Sequence, residues 1–284
     1  MEIPFRLVDV FCERPLEGNQ LCVVPDPLGL DHVVMQAVAR EIGFSETTFV
    51  TGYEGDRYGM RIFTPGQELP FAGHPTLGTA FVLVAEGRVQ SPLTQVVQAG
   101  EYPVEVDPAA GRARMRQLPP EFRGEFEDRE LAAHAVGLMQ DDLRDDVPVE
   151  LVTTGLPHLM VPVRDLERLR RAVRDAGRVH EVCQRAQAES MYLFAETDEG
   201  VTARMFDREA GIGEDPATGS AAGPLGAYLA RHGLAGMPGT LRIRQGEQVG
   251  RPSLLEVEVA PEGDSWRVLV GGGVAVVGEG VFRL

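Results

Sequence analysis

Two short stretches combine groups that can hold and move charge, at closely matched spacing. HPTLGTA spans His74–Ala80 and DPATGSA spans Asp215–Ala221. In each, a polar residue precedes Pro, and small residues then lead into an apolar helical segment, Pro75–Glu86 in one case and about Ser220–His232 in the other. The first N–H groups of a helix have no partner within it and carry partial positive charge, so they favour an anion such as a carboxylate. His74 and Asp215 would then stand in equivalent places beside two such helix starts. Taken alone, the motif reads first as ordinary capping, because Asp or His followed by Pro suits the N-cap and first helical positions. Pro224 further argues that the second regular helix starts late, leaving 215–220 as a loop or nest.

The elements around these motifs must position them. Both helical segments are apolar nearly all round, and such a helix is buried on all sides. Each is expected to sit at the centre of a core wrapped by sheet. Many short β-like runs separated by Gly, Pro and Asp supply that sheet: Phe5–Phe11, Leu21–Val24, Glu46–Thr51, Gly59–Phe63, Val149–Thr153, Leu159–Val163, Tyr192–Ala195 and Thr202–Phe206, with more near 240–245, 254–260 and 266–270. Amphipathic periodicity predicts a helix over His32–Ile42 stopped by Gly43, a charged helix over Leu166–Ala176 and a short one over Val182–Ala188. The motifs also recur in order. Arg61-Ile-Phe matches Arg204-Met-Phe at an offset of 143, and the two small-residue motifs match at 141. Ser45 and Phe49 match Ser190 and Phe194 at 145; Gly18, Val24 and Pro25 match Gly155, Val161 and Pro162 at 137. The order predicts a duplicated α+β unit with its boundary near 115–145.

Composition bounds the chemistry. The 284 residues are 43% hydrophobic and 25% charged, ordinary for a globular chain of about two domains. A net charge of −16 disfavours nucleic-acid phosphate and anionic membrane surfaces as partners. All 27 basic residues are Arg. Without lysine there is no Schiff base, no PLP-lysine chemistry and no P-loop lysine. Cys12, Cys22 and Cys183 show no metal-ligand spacing and read as buried thiols in a reducing compartment. The N-terminus lacks a signal-peptide pattern, and no apolar run approaches a membrane span, which predicts a cytoplasmic protein. No G-x-G-x-x-G forms around Gly211 or Gly271–Gly273, and Thr218 replaces the glycine that a nucleophile elbow would need before Ser220. His158 reads as structural or cleft-lining; His32, His134, His180 and His232 read as surface residues.

GNQLCVV, SETTFV, RIFTPGQELPFAGHPTLGTA, TGLPHLMVPV, GEDPATGSAAGPLGAYL and QGEQVGRPS together resemble the PhzF-like family of phenazine-biosynthesis isomerases, within the superfamily of diaminopimelate epimerase and proline racemase. The resemblance runs from Val8 to Leu284 and is weakest over about 105–150. It implies an α+β fold of two pseudo-symmetric lobes, each a curved, mostly antiparallel sheet rolled around a central helix. The lobes would be 1–117, completed by a returning C-terminal strand at 272–284, and 118–271, with the active site in the cleft between them. It also implies a homodimer.

By the same resemblance, Glu46 falls on the family's catalytic glutamate. Read alone, a Glu opening a strand is usually solvated or capping. Its neighbours Ile42, Phe44, Phe49 and Val50 are apolar, however, and would penalise its charged form, so that it could take and return a proton near neutral pH. His74, Asp215 and Ser220 match residues that hold substrate carboxylate, amino or hydroxyl groups. Gly73, Gly219 and Ala221 would offer N–H groups, and Asn19 falls in a loop where Gln20 replaces the usual Pro. Gln245, Gly246 and Ser253 match a nearby loop that a sheet-edge turn would equally explain. The two-thiol racemases carry cysteines at the helix starts; here His74 and Asp215 are expected in those places. The reading is a cofactor-independent, metal-free isomerase or epimerase acting on a small carboxylic acid, with Glu46, His74 and Asp215 as catalytic groups. A racemase with Glu46 and Asp215 as opposed bases, and a non-catalytic acid-binding protein on the same scaffold, remain as alternatives.

Overall fold

A computed structural model describes residues 1–26, 28–209 and 213–284, so Gly211 lies outside the described residues. The chain divides into two units, Met1–Arg116 with Gly271–Leu284, and Gln117–Val270. Among the described residues no helix is long and apolar enough to cross a membrane.

The first unit is built from β1 (Glu2–Val10), β2 (Asn19–Val24), α1 (His32–Ile42), β3 (Glu46–Glu54), β4 (Arg57–Phe63), β5 (Glu68–Leu69), α2 (Gly73–Ala85), β6 (Leu93–Val97), β7 (Gly100–Asp107) and β8 (Arg112–Arg116). α1 starts where the Asp31 side chain accepts from the N–H of Val34 and stops at Gly43, whose φ of 71° suits a residue without a Cβ. Its Met35, Val38 and Ala39 pack on Ile3, Val24, Phe49 and Phe63. α2 is the apolar segment and is buried from Gly73 through Leu83. It touches β1, β2, β3, β6, β7 and β8. A Cβ on Gly78 would lie 2.6 Å from Leu21 Cδ2 and 2.8 Å from Val10 Cγ2, so the helix reaches the sheet only because that side chain is absent.

The second unit contains β9 (Glu121–Glu125), α3 (Arg129–His134), β10 (Glu150–Thr153), β11 (Pro157–Pro162), α4 (Leu166–Arg171), α5 (Ala176–Ala186), β12 (Ser190–Thr197), β13 (Gly200–Asp207), β14 (Glu214–Asp215), α6 (Gly219–His232), β15 (Gly239–Gln245), β16 (Ser253–Glu262) and the first residues of β17 (Ser265–Arg283). α6 is buried from Ala221 to Ala230 and touches β10, β11 and β16. Gly226 faces Val257 as Gly78 faces Leu21, with a built Cβ at 2.6 Å. A second apolar layer, from α3, α4 and α5, covers the other face of β10–β13 through Leu169, Val179, Val182 and Cys183.

The two units repeat one pairing scheme. β2 runs parallel to β3, β3 antiparallel to β4, β4 parallel to β6 and β6 antiparallel to β7. β11, β12, β13, β15 and β16 repeat these relations in order. The later part of β17 pairs with β1 from Glu2↔Arg283 to Val10↔Val274 and also with β8, closing the first unit's strands into a barrel around α2. Gly271 and Gly273 sit where strands crowd: a Cβ on Gly273 would lie 2.0 Å from the Cys12 carbonyl oxygen. The repeat includes a bidentate ion pair, Arg61 to Glu68 in one unit and Arg204 to Glu214 in the other.

Several sequence expectations are corrected. The Leu166–Ala176 helix is broken: α4 ends at Arg171, and Asp175 caps a separate α5. α6 begins at Gly219, ahead of Pro224, so only 215–218 of the supposed loop is non-helical. Pro224 forgoes a single intrahelical bond, to the Ser220 carbonyl, in the helix's second turn. Four strands, β6 to β9, are too polar or interrupted to stand out in the sequence; β7 alternates exposed and buried residues, and β9 is exposed along nearly all its length. His232 is no surface histidine: its ring meets the buried Glu150 carboxylate at 2.9 Å.

Candidate active site

In the first unit, Glu46 opens β3 directly opposite Leu21 of β2. Its side chain is only 12% exposed. His74 is the second residue of α2, and its Nε2 lies 3.4 Å from Glu46 Oε2 and 3.3 Å from the Gln20 carbonyl oxygen. A carbonyl only accepts, so Nε2 carries the proton in this contact and faces both oxygens. Gln20 therefore reaches the site through its backbone, while lying paired with Asp9 in the β1–β2 ladder. Asn19 is buried and accepts from the Ser45 hydroxyl at 3.2 Å, tying the start of β2 to the residue before Glu46. Of the apolar neighbours read from sequence, Phe49 and Val50 are buried and Ile42 and Phe44 half-buried; Phe49 turns to the opposite face of β3 from Glu46 and packs on Met35, Val38 and Ala39 of α1.

In the second unit, Asp215 ends β14 and is buried. The Thr218 hydroxyl donates to its Oδ2 at 2.6 Å. Gln245 locks this turn. Its Nε2 donates to the Asp215 carbonyl (2.8 Å) and to Thr218 Oγ1 (3.0 Å). Its Oε1 accepts from the Thr218 N–H (3.3 Å) and the Tyr192 hydroxyl (2.9 Å). All four bonding positions of a buried amide are thus used. Gly246, at φ 84°, packs so closely on Pro216 that a Cβ would meet its carbonyl oxygen at 2.5 Å. Gln245 and Gly246 brace the Asp215 turn, a role the sheet-edge reading did not supply. Ser253, paired with Gln245 across β15–β16, turns its hydroxyl to the Arg251 carbonyl instead. The bonds of Thr218 and Tyr192 to Gln245 could not be read from the sequence, because only the fold brings the three together.

The helix starts are set apart from the others. α1, α3, α4 and α5 are each capped by an aspartate, Asp31, Asp128, Asp165 and Asp175, whose side chain accepts from the first turn. α2 and α6 follow Ala72 and Thr218, and neither has a side-chain cap bond. The capping reading of His74 and Asp215 is thereby corrected: neither residue caps its helix. First-turn N–H groups of Gly73 and His74, and of Gly219 and Ser220, have no place in an intrahelical ladder. The Ala221 N–H already donates to the Thr218 carbonyl at 3.1 Å.

The equivalence of His74 with Asp215 is also corrected. Both the short strands (Glu68, Glu214) and the helix starts (Gly73, Gly219) correspond at an offset of 146, five residues out of phase with the HPTLGTA and DPATGSA match. His74 therefore corresponds to Ser220, and Asp215 lies four residues ahead of its helix. Strand register makes a smaller change. Thr47 opposes Phe63 as Met191 opposes Phe206, which places Ser190, not Met191, in the position of Glu46.

Residues 8–280 match the family described as phenazine biosynthesis-like protein, PhzC-PhzF. The chain is 36% identical to a trans-2,3-dihydro-3-hydroxyanthranilate isomerase of Pseudomonas chlororaphis, over 99% of each protein. A crystal structure of a phenazine biosynthesis protein of the PhzF family from Bacillus anthracis superposes with a TM-score of 0.90 at 28% identity, covering 100% of both chains. A probable proline racemase from Agrobacterium radiobacter K84 superposes with a TM-score of 0.68 at 13% identity, over 99% of this chain and 93% of its own, a likeness of fold alone. The fold is α+β and is shared with the PhzF-family structure and with that probable proline racemase. The chain belongs to the phenazine biosynthesis-like family and is an isomerase of the PhzF type.

Proposed function

We propose that this isomerase moves a proton on a small amino- or hydroxy-substituted carboxylic acid, unsaturated or cyclic, without a cofactor. The observation that carries the reading is the selective absence of side-chain caps from α2 and α6, when the other four helices have them. Glu46 is the acid/base. It takes a proton from carbon next to a π system, and the resulting charge spreads into the conjugated carboxylate. The uncapped start of α6, with the N–H groups of Gly219 and Ser220 and the Ser220 hydroxyl, suits that carboxylate and stabilises the charge as it develops, and the N–H groups of Gly73 and His74 make the start of α2 an anion-favouring end of the same kind. His74, whose Nε2 lies 3.4 Å from Glu46 Oε2, keeps the carboxylate side chain aimed. Asp215, held by Thr218 and Gln245, orients the substrate's amino or hydroxyl group, and Asn19 fixes the loop before Glu46. Protonation of Glu46 at one carbon and release at another completes the isomerisation.

The name of the Pseudomonas relative supports trans-2,3-dihydro-3-hydroxyanthranilate as the first compound to try. Three buried, unpaired thiols support a reducing, cytoplasmic setting, and the family resemblance supports a homodimer. The test is NMR in heavy water with that compound and a panel of small unsaturated and amino acids, run beside Glu46→Gln. Isomerisation with deuterium uptake, lost in the variant, is expected. Turnover that survives Glu46→Gln would overturn Glu46 as the base and favour Asp215. Deuterium entry with loss of chirality and no shift of a double bond would favour a racemase.

A further inference from the structure

The Ser220 hydroxyl stands at the start of α6, half-exposed, and is backed by a buried chain of polar groups. His158 Nε2 lies 3.1 Å from Ser220 Oγ, and His158 Nδ1 lies 2.8 Å from Ser190 Oγ. His158 is 2% exposed and Ser190 fully buried. Burial pushes the His158 imidazole down to about 3, so the ring is neutral and holds one N–H. A fully buried hydroxyl without an acceptor is costly, and the imidazole is the partner the Ser190 Oγ meets. Ser190 therefore donates to Nδ1. The ring proton then belongs on Nε2, where it donates to Ser220 Oγ. With its oxygen lone pair engaged, Ser220 turns its own proton away from the ring.

We propose that Ser190 and His158 are positioning residues that fix the Ser220 hydroxyl as a donor, so that it binds the substrate carboxylate at the start of α6. The proposal rests on the carboxylate reading given above and adds the direction of every proton in the anchor. The internal repeat supports it. Ser190 occupies the place of Glu46 and Ser220 that of His74, so the second unit carries neutral hydroxyls where the first carries an acid/base pair. In the second unit His158, on β11, replaces the apolar Leu21 of β2 and supplies the link between them. Duplication has thus left one copy suited to proton transfer and the other to holding an anion.

The test uses the intact chain labelled with 15N-histidine. The His158 signals are assigned by their loss in His158→Gln. A bare Nδ1 and a protonated Nε2 at pH 7 are expected, unchanged when 3-hydroxyanthranilate binds. Affinities for 3-hydroxyanthranilate, anthranilate and benzoate are then measured in the wild type, His158→Gln, His158→Phe and Ser190→Ala. Loss of about tenfold is expected in His158→Phe, with the amide donor of His158→Gln restoring most of it. In turnover the change should fall on KM more than kcat. An Nδ1–H tautomer overturns the proposal, as do equal affinities in all variants or a wild type that binds none of the three acids. If His158→Phe does not fold, the tautomer and the milder variants still decide. Failure of the acid/base reading looks different: binding and tautomer as expected, but no deuterium exchange with any compound.

Discussion

Glu46 and Gln245 illustrate two ways in which one side chain can matter. Glu46 is mostly buried beside the His74 Nε2–H and is proposed to handle the proton directly. Glu46→Gln keeps the shape and the contact with His74 while removing the base. Turnover is expected to fall by about 10²–10⁴-fold, with the thermal transition little changed. Gln245 touches no reacting atom in this scheme but saturates four hydrogen bonds around Asp215 and Thr218. Gln245→Ala strands the Tyr192 hydroxyl and the Asp215 carbonyl, so a loss of about 1–3 kcal/mol in urea denaturation is expected. His158 supplies a pH signature. Its folded-state value, pushed down by burial to about 3, lies below the ordinary imidazole value of 6.5 that holds in the unfolded chain. The unfolded chain therefore binds the extra proton, and this group's stabilisation, present above pH 6.5, is lost as pH falls toward 3. Wild type is expected to lose up to about 1.4 kcal/mol per pH unit from this group below pH 6. Denaturation series at pH 7, 6 and 5 should show a shallower decline in His158→Gln.

Among the elements, α2 and α6 depart from ordinary helix design in two ways. Each is apolar all round and fills the centre of its unit, and each has no side-chain cap on its first turn, which the proposed anion binding would require. Close approach to the sheet is bought with glycine. Gly78→Ala places a methyl 2.6 Å from Leu21 Cδ2 and 2.8 Å from Val10 Cγ2. Overpacking of this kind costs about 1–3 kcal/mol, against the slight gain that the same change gives on an exposed helix. A lowered denaturation midpoint in Gly78→Ala, beside a neutral or raised one at an exposed helical site, would check this. The outer helices follow the usual pattern. Asp31→Ala removes the α1 cap, and about 1 kcal/mol of stability should go with it.

At the scale of the whole chain, β17 is one strand with two attachments. Its first residues belong to the unit Gln117–Val270 and its remainder to the unit that begins at Met1. Nine registered pairs with β1 run from Glu2↔Arg283 to Val10↔Val274. Truncation after Val270 would expose the edges of β1 and β8 and open the barrel around α2. Loss of cooperative unfolding and aggregation of the truncated chain are expected, measured by urea titration and light scattering.

Sequence alone determined the classes of element and the kind of chemistry. Hydrophobic periodicity is local, so α1 was legible residue for residue, and both central helices were marked by apolar character on every side. The absence of lysine and the charge balance excluded whole reaction classes before any fold was known. What the sequence left undecided was phase and partnership. HPTLGTA and DPATGSA look like equivalent motifs because Gly, Pro and Ala recur in both, yet strand pairing shifts the true equivalence by five residues, to His74 and Ser220. Side-chain similarity carries no information about hydrogen-bond register; the ladder between distant strands does. The same holds for Gln245, Thr218 and Tyr192, and for Ser190, His158 and Ser220. Each set is scattered over tens of residues and becomes one hydrogen-bonded group only when the sheet has closed around its helix.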